Sequence, residues 1–167
     1  FGYGDDTTED VDASTTNSNN NSVIRDDNLE TIIHAPIQGY AIPLSEVNDP
    51  IFAQGMMGQG LAIKPSDTTI VSPIEGVVSM IAPSKHAIGI TSSNGVELLI
   101  HVGLDTVQLN GEGFELHVKE NDHIKVNQEL IHFEKSHIEQ QGYDTVIPII
   151  ITNSSEFEEI ILNIPDN

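Results

Sequence analysis

The sequence predicts an all-β domain, an antiparallel β-sandwich of the flattened, barrel-like kind, and three observations carry that prediction. Short aliphatic runs recur from Leu29 onward, separated by Pro, Gly, Asn and Asp at the spacing of strands joined by turns. The core must be aliphatic, because aromatics are 5% of the chain and Trp is absent, and β-branched side chains suit a pleated surface. A seven-residue pattern also repeats: APIQGYA at 35–41 and SPIEGVV at 72–78 each set a small residue, Pro, Ile, a polar residue and Gly ahead of a strand. Pro starts the bend and Gly permits the tight backbone after it, so two like corners give the sandwich a pseudo-symmetry.

Residues 1–28 are polar and acidic, with seven acids and one Arg, and their few apolar residues do not offset the entropy of ordering them. A disordered tail is expected there, with the folded domain over 29–167. Within the domain, TIIHAPIQGYAIPL (31–44), GQGLAIKP (58–65) and TTIVSPIEGVVSMIA (68–82) read as strands or hairpins. HAIGITSSNGVELLIHVG (86–103) reads as a hairpin about a Ser-Ser-Asn-Gly turn, and HIKVNQELIHFE (123–134) and DTVIPIIITN (144–153) complete the strands. The stretch 134–145 has room for a turn of helix, whereas 156–163, EFEEIILN, is too β-branched for a firm helix.

At 167 residues the chain holds one domain with a sizeable core. Twenty-six acids against six basic residues give a net charge of -20, which argues against a nucleic-acid partner and favours a protein with a basic docking face. The absence of cysteine excludes disulfides, thiolate metal sites and thiol catalysis. No apolar run approaches the length of a membrane span and no signal peptide is evident, so the expected location is cytoplasmic, with no direct membrane insertion.

The hairpin 86–103 carries a histidine on each arm. A two-residue Ser93-Asn94 loop or a four-residue loop over 92–95 sets His86 opposite His101, with Cβ atoms about 4.5–5.5 Å apart; an Asn94-Gly95 turn sets them on a diagonal at roughly 7–8 Å. A three-residue loop breaks this pairing. Two neutral imidazoles on one face allow one ring to attack phosphorus while the other donates to the phosphoryl oxygens. Ser84, two residues before His86, shares its face by strand parity. The same pair is equally read as a structural cross-strand contact. A zinc reading needs a third ligand, for which Asp105 is the candidate. His34, His117, His123, His132 and His137 read as surface residues.

The segment GVELLIHVGLDTV at 95–107 resembles the phosphorylation-site motif of glucose-family IIA components of the phosphoenolpyruvate-dependent sugar phosphotransferase system. The resemblance extends through GLAIKP at 60–65, SPIEG at 72–76, LNGEGF at 109–114 and PIIITN at 148–153, covering about 29–160. It implies a β-sandwich with two active histidines in a shallow apolar depression. His101 matches the phosphoryl acceptor, loaded by the histidine phosphocarrier protein and emptied by the IIB domain of a sugar permease, and His86 matches its partner. Ser84 stands where the family has a site threonine. Ile51, Phe52, Met57 and Val107 match positions around the site, an apolar apron for both partners, and Asp105 lies within the motif. The resemblance implies no resident cofactor, though some members share zinc between these histidines and a partner's carboxylate.

Two departures stand out: Ala82-Pro83 replaces an aromatic residue that often precedes the site, and the sequence ends at Asn167 without the family's final Val-rich strand, so a sheet edge is expected to be uncovered or otherwise filled. A regulatory binding module of the same fold, without turnover, is the alternative function. A zinc hydrolase ranks below both, since no His-x-His or His-Glu-x-x-His motif is present.

Overall fold

A computed structural model describes residues 30–164, and its compact unit begins at Ile33. The tail expected over 1–28 lies outside the described residues. From Gly39 the strands are β1 (Gly39–Pro43), β2 (Gln59–Pro65), β3 (Thr69–Val71), β4 (Gly76–Ile81), β5 (Ala87–Ser92) and β6 (Glu97–His101), followed by β7 (Phe114–Leu116), β8 (His123–Ile124), β9 (Glu129–Phe133) and β10 (Ile147–Ile151). Two short helices, α1 (Pro50–Ala53) and α2 (Lys135–Gln140), and 3-10 turns at Leu44–Glu46, Thr106–Leu109 and Ser154–Glu156 complete it.

The strands form two antiparallel sheets, one ordered β3-β9-β7 and the other β1-β2-β10-β6-β5-β4-β8. Between them lies an aliphatic core in which Ile70, Leu130, Ile131 and Phe133 of the small sheet meet Ile63, Ile88, Ile100 and Ile147 of the large one. This is the sandwich that the sequence predicts. The strand period of two sends the alternate residues Ala62, Ala87, Leu99 and Ile150 to the outer face of the large sheet. There a second apolar cluster forms under Leu44, Val47, Phe52 and Leu104, which arrive on the segment after β1 and the turn after β6.

Both repeated corners bend as expected. Ile37 and Ile74 are buried alike, and each corner hydrogen-bonds to the chain before the other: Val71 N–H donates to the Pro36 carbonyl and His34 N–H to the Pro73 carbonyl, both at 2.9 Å. The glycines that follow need their missing side chains, since a Cβ would come within 2.2 Å of the Lys64 carbonyl oxygen at Gly39 and 2.3 Å of the Thr91 oxygen at Gly76. Three details differ from expectation. No strand covers 31–38, and β3 and β4 separate at the Pro73 bend. The short β7 and α1 are additional, because three- or four-residue elements carry too little periodicity to register. The turn of helix within 134–145 is α2, capped by the Tyr143 N–H to Ile138 carbonyl bond. Residues 157–163 form no regular element, in keeping with their β-branched content.

Candidate active site

The hairpin that carries the histidines closes differently from either register expected. Its loop has three residues: Gly95, at φ 90°, bonds back to the Ser92 carbonyl, and Ser92 N–H reaches the Val96 carbonyl. The Ser92 hydroxyl accepts from Val96 N–H at 3.0 Å and donates to Asn94 Oδ1 at 2.8 Å, which stabilises a loop that bare turn preferences do not single out. The ladder therefore pairs Ala87, not His86, with His101.

The two rings nevertheless meet, with centroids 4.8 Å apart and planes at 82°. His86 precedes β5 on the turn 82–86, where Lys85 takes a left-handed conformation at φ 64° and donates its N–H to the Ala82 carbonyl. Past the end of the strand, side-chain alternation no longer applies. The main chain stays tied across the hairpin by the 2.7 Å bond from Val102 N–H to the His86 carbonyl. The same turn removes the parity argument for Ser84: its backbone, rather than its hydroxyl, is what acts on the His86 ring.

Nδ1 of His101 lies 2.8 Å from the Gly103 carbonyl oxygen. A carbonyl accepts only, so Nδ1 bears the proton and Nε2 keeps its lone pair. Gly103 holds this geometry at φ 81°, in a space where a Cβ would lie 2.5 Å from Thr106 Cγ2. Thr106 is fully buried and donates to the Val102 carbonyl, pinning the turn after β6. His86 is only 7% exposed, and its Nδ1 is buried without a hydrogen bond of normal geometry.

Burial pushes the His86 ring down to about 4, the neighbouring His101 acts in the same direction, and the Ser84 main chain opposes them. Burial also lowers His101, against the Gly103 hydrogen bond and the charges of Asp49 and Asp105, which favour the protonated ring. Both imidazoles are thus neutral near pH 7.

Around the pair, Phe52 is buried and meets His101 edge-on with centroids 5.1 Å apart. Ile51 and Val107 are 51% and 46% exposed, Met57 packs half-buried on the outer cluster, and Asp105 is exposed at a left-handed position beside His101. Asp49 is new to the site. Asp49 Oδ1 caps α1 by accepting from Ile51 N–H at 3.0 Å, which fixes the helix that presents Phe52. An Asp before Pro50 is the sequence signal for that start. Met56, next to the matched Met57, is 70% exposed. No group of three or more His, Asp or Glu residues is arranged to hold a metal among the described residues, so Asp105 completes no zinc site with the pair.

Residues 31–157 match the family described as phosphoenolpyruvate-dependent sugar phosphotransferase system, EIIA 1. A PTS system glucoside-specific EIICBA component of Staphylococcus carnosus (strain TM300) is 47% identical over 153 residues, covering 86% of this chain and 22% of that protein. The chain thus spans less than a quarter of that curated relative. Among solved structures, the glucose permease IIA from Mycoplasma capricolum superposes with a TM-score of 0.71 at 36% identity, over 77% of this chain and 84% of its own. The matched span takes in both sheets, both histidines and Ile51, Phe52, Met57 and Val107, and the chain belongs to the EIIA 1 family of the phosphoenolpyruvate-dependent sugar phosphotransferase system.

Proposed function

We propose that this chain carries a phosphoryl group on His101, taking it from the histidine phosphocarrier protein and passing it to the IIB domain of a sugar permease, in the cytoplasm. The observation that carries the reading is the hydrogen bond of His101 Nδ1 to Gly103, which leaves Nε2 as a free lone pair beside a second neutral ring. Nε2 attacks phosphorus in line; the Nε2–P bond forms as the donor's P–N bond breaks, and that electron pair stays on the donor ring. Positive charge grows on the His101 imidazole, and the Nδ1–H to Gly103 bond strengthens with it. His86, kept neutral by burial, donates to the phosphoryl oxygens, and the Ser84 main chain bears on that ring. Ile51, Phe52, Met57 and Val107 exclude water at the contact, and Asp105 faces the incoming partner.

Zinc would find two nitrogens here and would need a partner's carboxylate to complete a tetrahedral set; transfer itself requires no metal in this scheme. Intact-mass analysis after incubation with phosphoenolpyruvate, the general phosphotransferase enzyme and the histidine phosphocarrier tests the proposal. One acid-labile phosphate on the protein, and none on His101→Ala, is the expected result. A His101→Ala variant that still loads stoichiometrically refutes the acceptor, and no loading by donors active on a control favours the regulatory binding module.

A further inference from the structure

His101 is fixed by a hydrogen bond from its own ring, but the Nδ1 of His86 is buried without one of normal geometry, so the aim of the His86 ring is set by the backbone that carries it. That backbone is the loop 83–86 between β4 and β5. Ala82 closes it: its N–H reaches the Ala87 carbonyl at 3.0 Å, and its own carbonyl accepts from Lys85 N–H at 2.8 Å. The loop has one left-handed residue, and that residue is Lys85. Among the described residues, the other non-glycine positions with positive φ are Asp105, Asn110, Asn121 and Asn127. Asp and Asn tolerate this conformation because a short polar side chain bonds locally to the main chain, a means that lysine lacks. A different contact must offset the strain at Lys85.

That contact lies on the loop after the 3-10 turn Thr106–Leu109. Gly111 sits there at φ 92°, and a Cβ on it would stand 3.6 Å from Lys85 Cδ, 3.8 Å from Lys85 Cε and 3.8 Å from the Ser84 carbonyl oxygen. The aliphatic stem of Lys85 thus lies against the place where any other residue would put a side chain, while the residue as a whole stays exposed. The seat is itself anchored. Glu112 N–H donates to the carbonyl of buried Leu109 at 3.0 Å, and Phe114 N–H donates to the Gly111 carbonyl at 3.2 Å. Ser84, the other group that abuts Gly111, is the residue whose main chain acts on the His86 ring.

We propose that Lys85 is the positioning residue of His86: its stem, seated over Gly111, holds the loop in the left-handed shape that brings the His86 ring against His101. The inference deepens the phosphocarrier reading and rests on it for the consequence in transfer. Loss of the stem lets the loop relax, and the ring then leaves both its buried place and the phosphoryl oxygens it is to bond. The charge of Lys85 is incidental to this role.

The test compares the unsubstituted protein with Lys85→Met, Lys85→Gly and Lys85→Ala by two readouts, the NMR titration of the His86 ring and single-turnover rates of loading and of transfer to the IIB domain. Lys85→Met keeps the stem without the charge and should match the unsubstituted protein in both. Lys85→Ala keeps the backbone strain without the stem. It should raise the His86 midpoint from about 4 toward 6.5 and slow onward transfer about five- to thirtyfold, with a smaller loss in loading. Lys85→Gly loses the strain together with the stem and should fall between the two. A Lys85→Ala protein that matches the unsubstituted one in both readouts overturns the proposal. So does Lys85→Met as impaired as Lys85→Ala, since the charge would then be the acting part. Equal losses in the two half-reactions of Lys85→Ala with an unmoved His86 titration mark a general structural defect and overturn it too. If the unsubstituted protein takes no phosphate from an active donor, the carrier reading fails, and the titration series alone decides whether Lys85 positions the ring.

Discussion

Nδ1 of His101 donates to the Gly103 carbonyl oxygen across 2.8 Å, two residues further along the same chain. The contact is local, and it sets the tautomer of the ring before any partner arrives. His86, 4.8 Å away between centroids, has no comparable tie at its own Nδ1. The two imidazoles are therefore not equivalent, and substitutions at each should separate their roles.

His86→Gln should slow transfer to the IIB domain by about 10²–10³-fold, the loss seen when one donor to a developing oxyanion is removed, and slow loading much less. In onward transfer the leaving group is the His101 ring itself, next to His86, whereas in loading the leaving group belongs to the donor. Single-turnover rates for the two half-reactions check this, and equal losses would count against the assignment.

The pH dependence follows from burial. His86 titrates at about 4 when folded and near 6.5 when unfolded, so the unfolded chain binds more protons between those values. The contribution of this ring to stability is complete above the unfolded value and is lost as pH falls toward 4. Thermal melts of the protein and of His86→Gln should diverge over that window, with the variant losing less. An NMR titration of the His86 ring with a midpoint near 6.5 would refute the assignment.

Phe52→Ala removes a ring that is 5% exposed and lies edge-on to His101. The expected loss is about 3–5 kcal/mol in denaturant melts, together with reduced loading. Phe52→Leu retains most of the volume and should cost less than about 1.5 kcal/mol. If Phe52→Leu loads as poorly as Phe52→Ala, the ring acts through its aromatic contact with His101 and not through packing.

Asp49 has two separable effects. Asp49→Ala loses the cap on α1 and should destabilise the fold by about 1 kcal/mol. Asp49→Asn keeps a capping oxygen but removes the charge that favours protonated His101, so the His101 titration should move further down with little change in melting temperature. A His101 titration unmoved in Asp49→Asn would show that the charge does not reach the ring.

The local pattern made much of this architecture legible. The alternation in 144–153 is that of β10, which sends Ile147 and Ile149 to the central core and Ile150 to the outer cluster. The Pro-Ile-x-Gly corners were readable because each fits a bend into four residues of fixed chemistry. The hairpin loop was not, because Ser-Ser-Asn-Gly is compatible with two, three or four loop residues, and the Ser92 hydroxyl decides among them only once the strands have met.

The sequence by itself determined that the chain is a β-sandwich and that His86 and His101 stand on the two arms of one hairpin, because corners, turn residues and strand runs are encoded in neighbouring residues. Only the tertiary structure decided how the rings meet. The paired register would have separated them, and they join because the turn at Lys85 releases His86 from the strand's alternation while the Val102 bond holds its backbone in place. The depressed affinity of both rings for protons and the edge-on contact of Phe52 with His101 likewise depend on burial and on contacts between distant segments, which no local run of residues specifies.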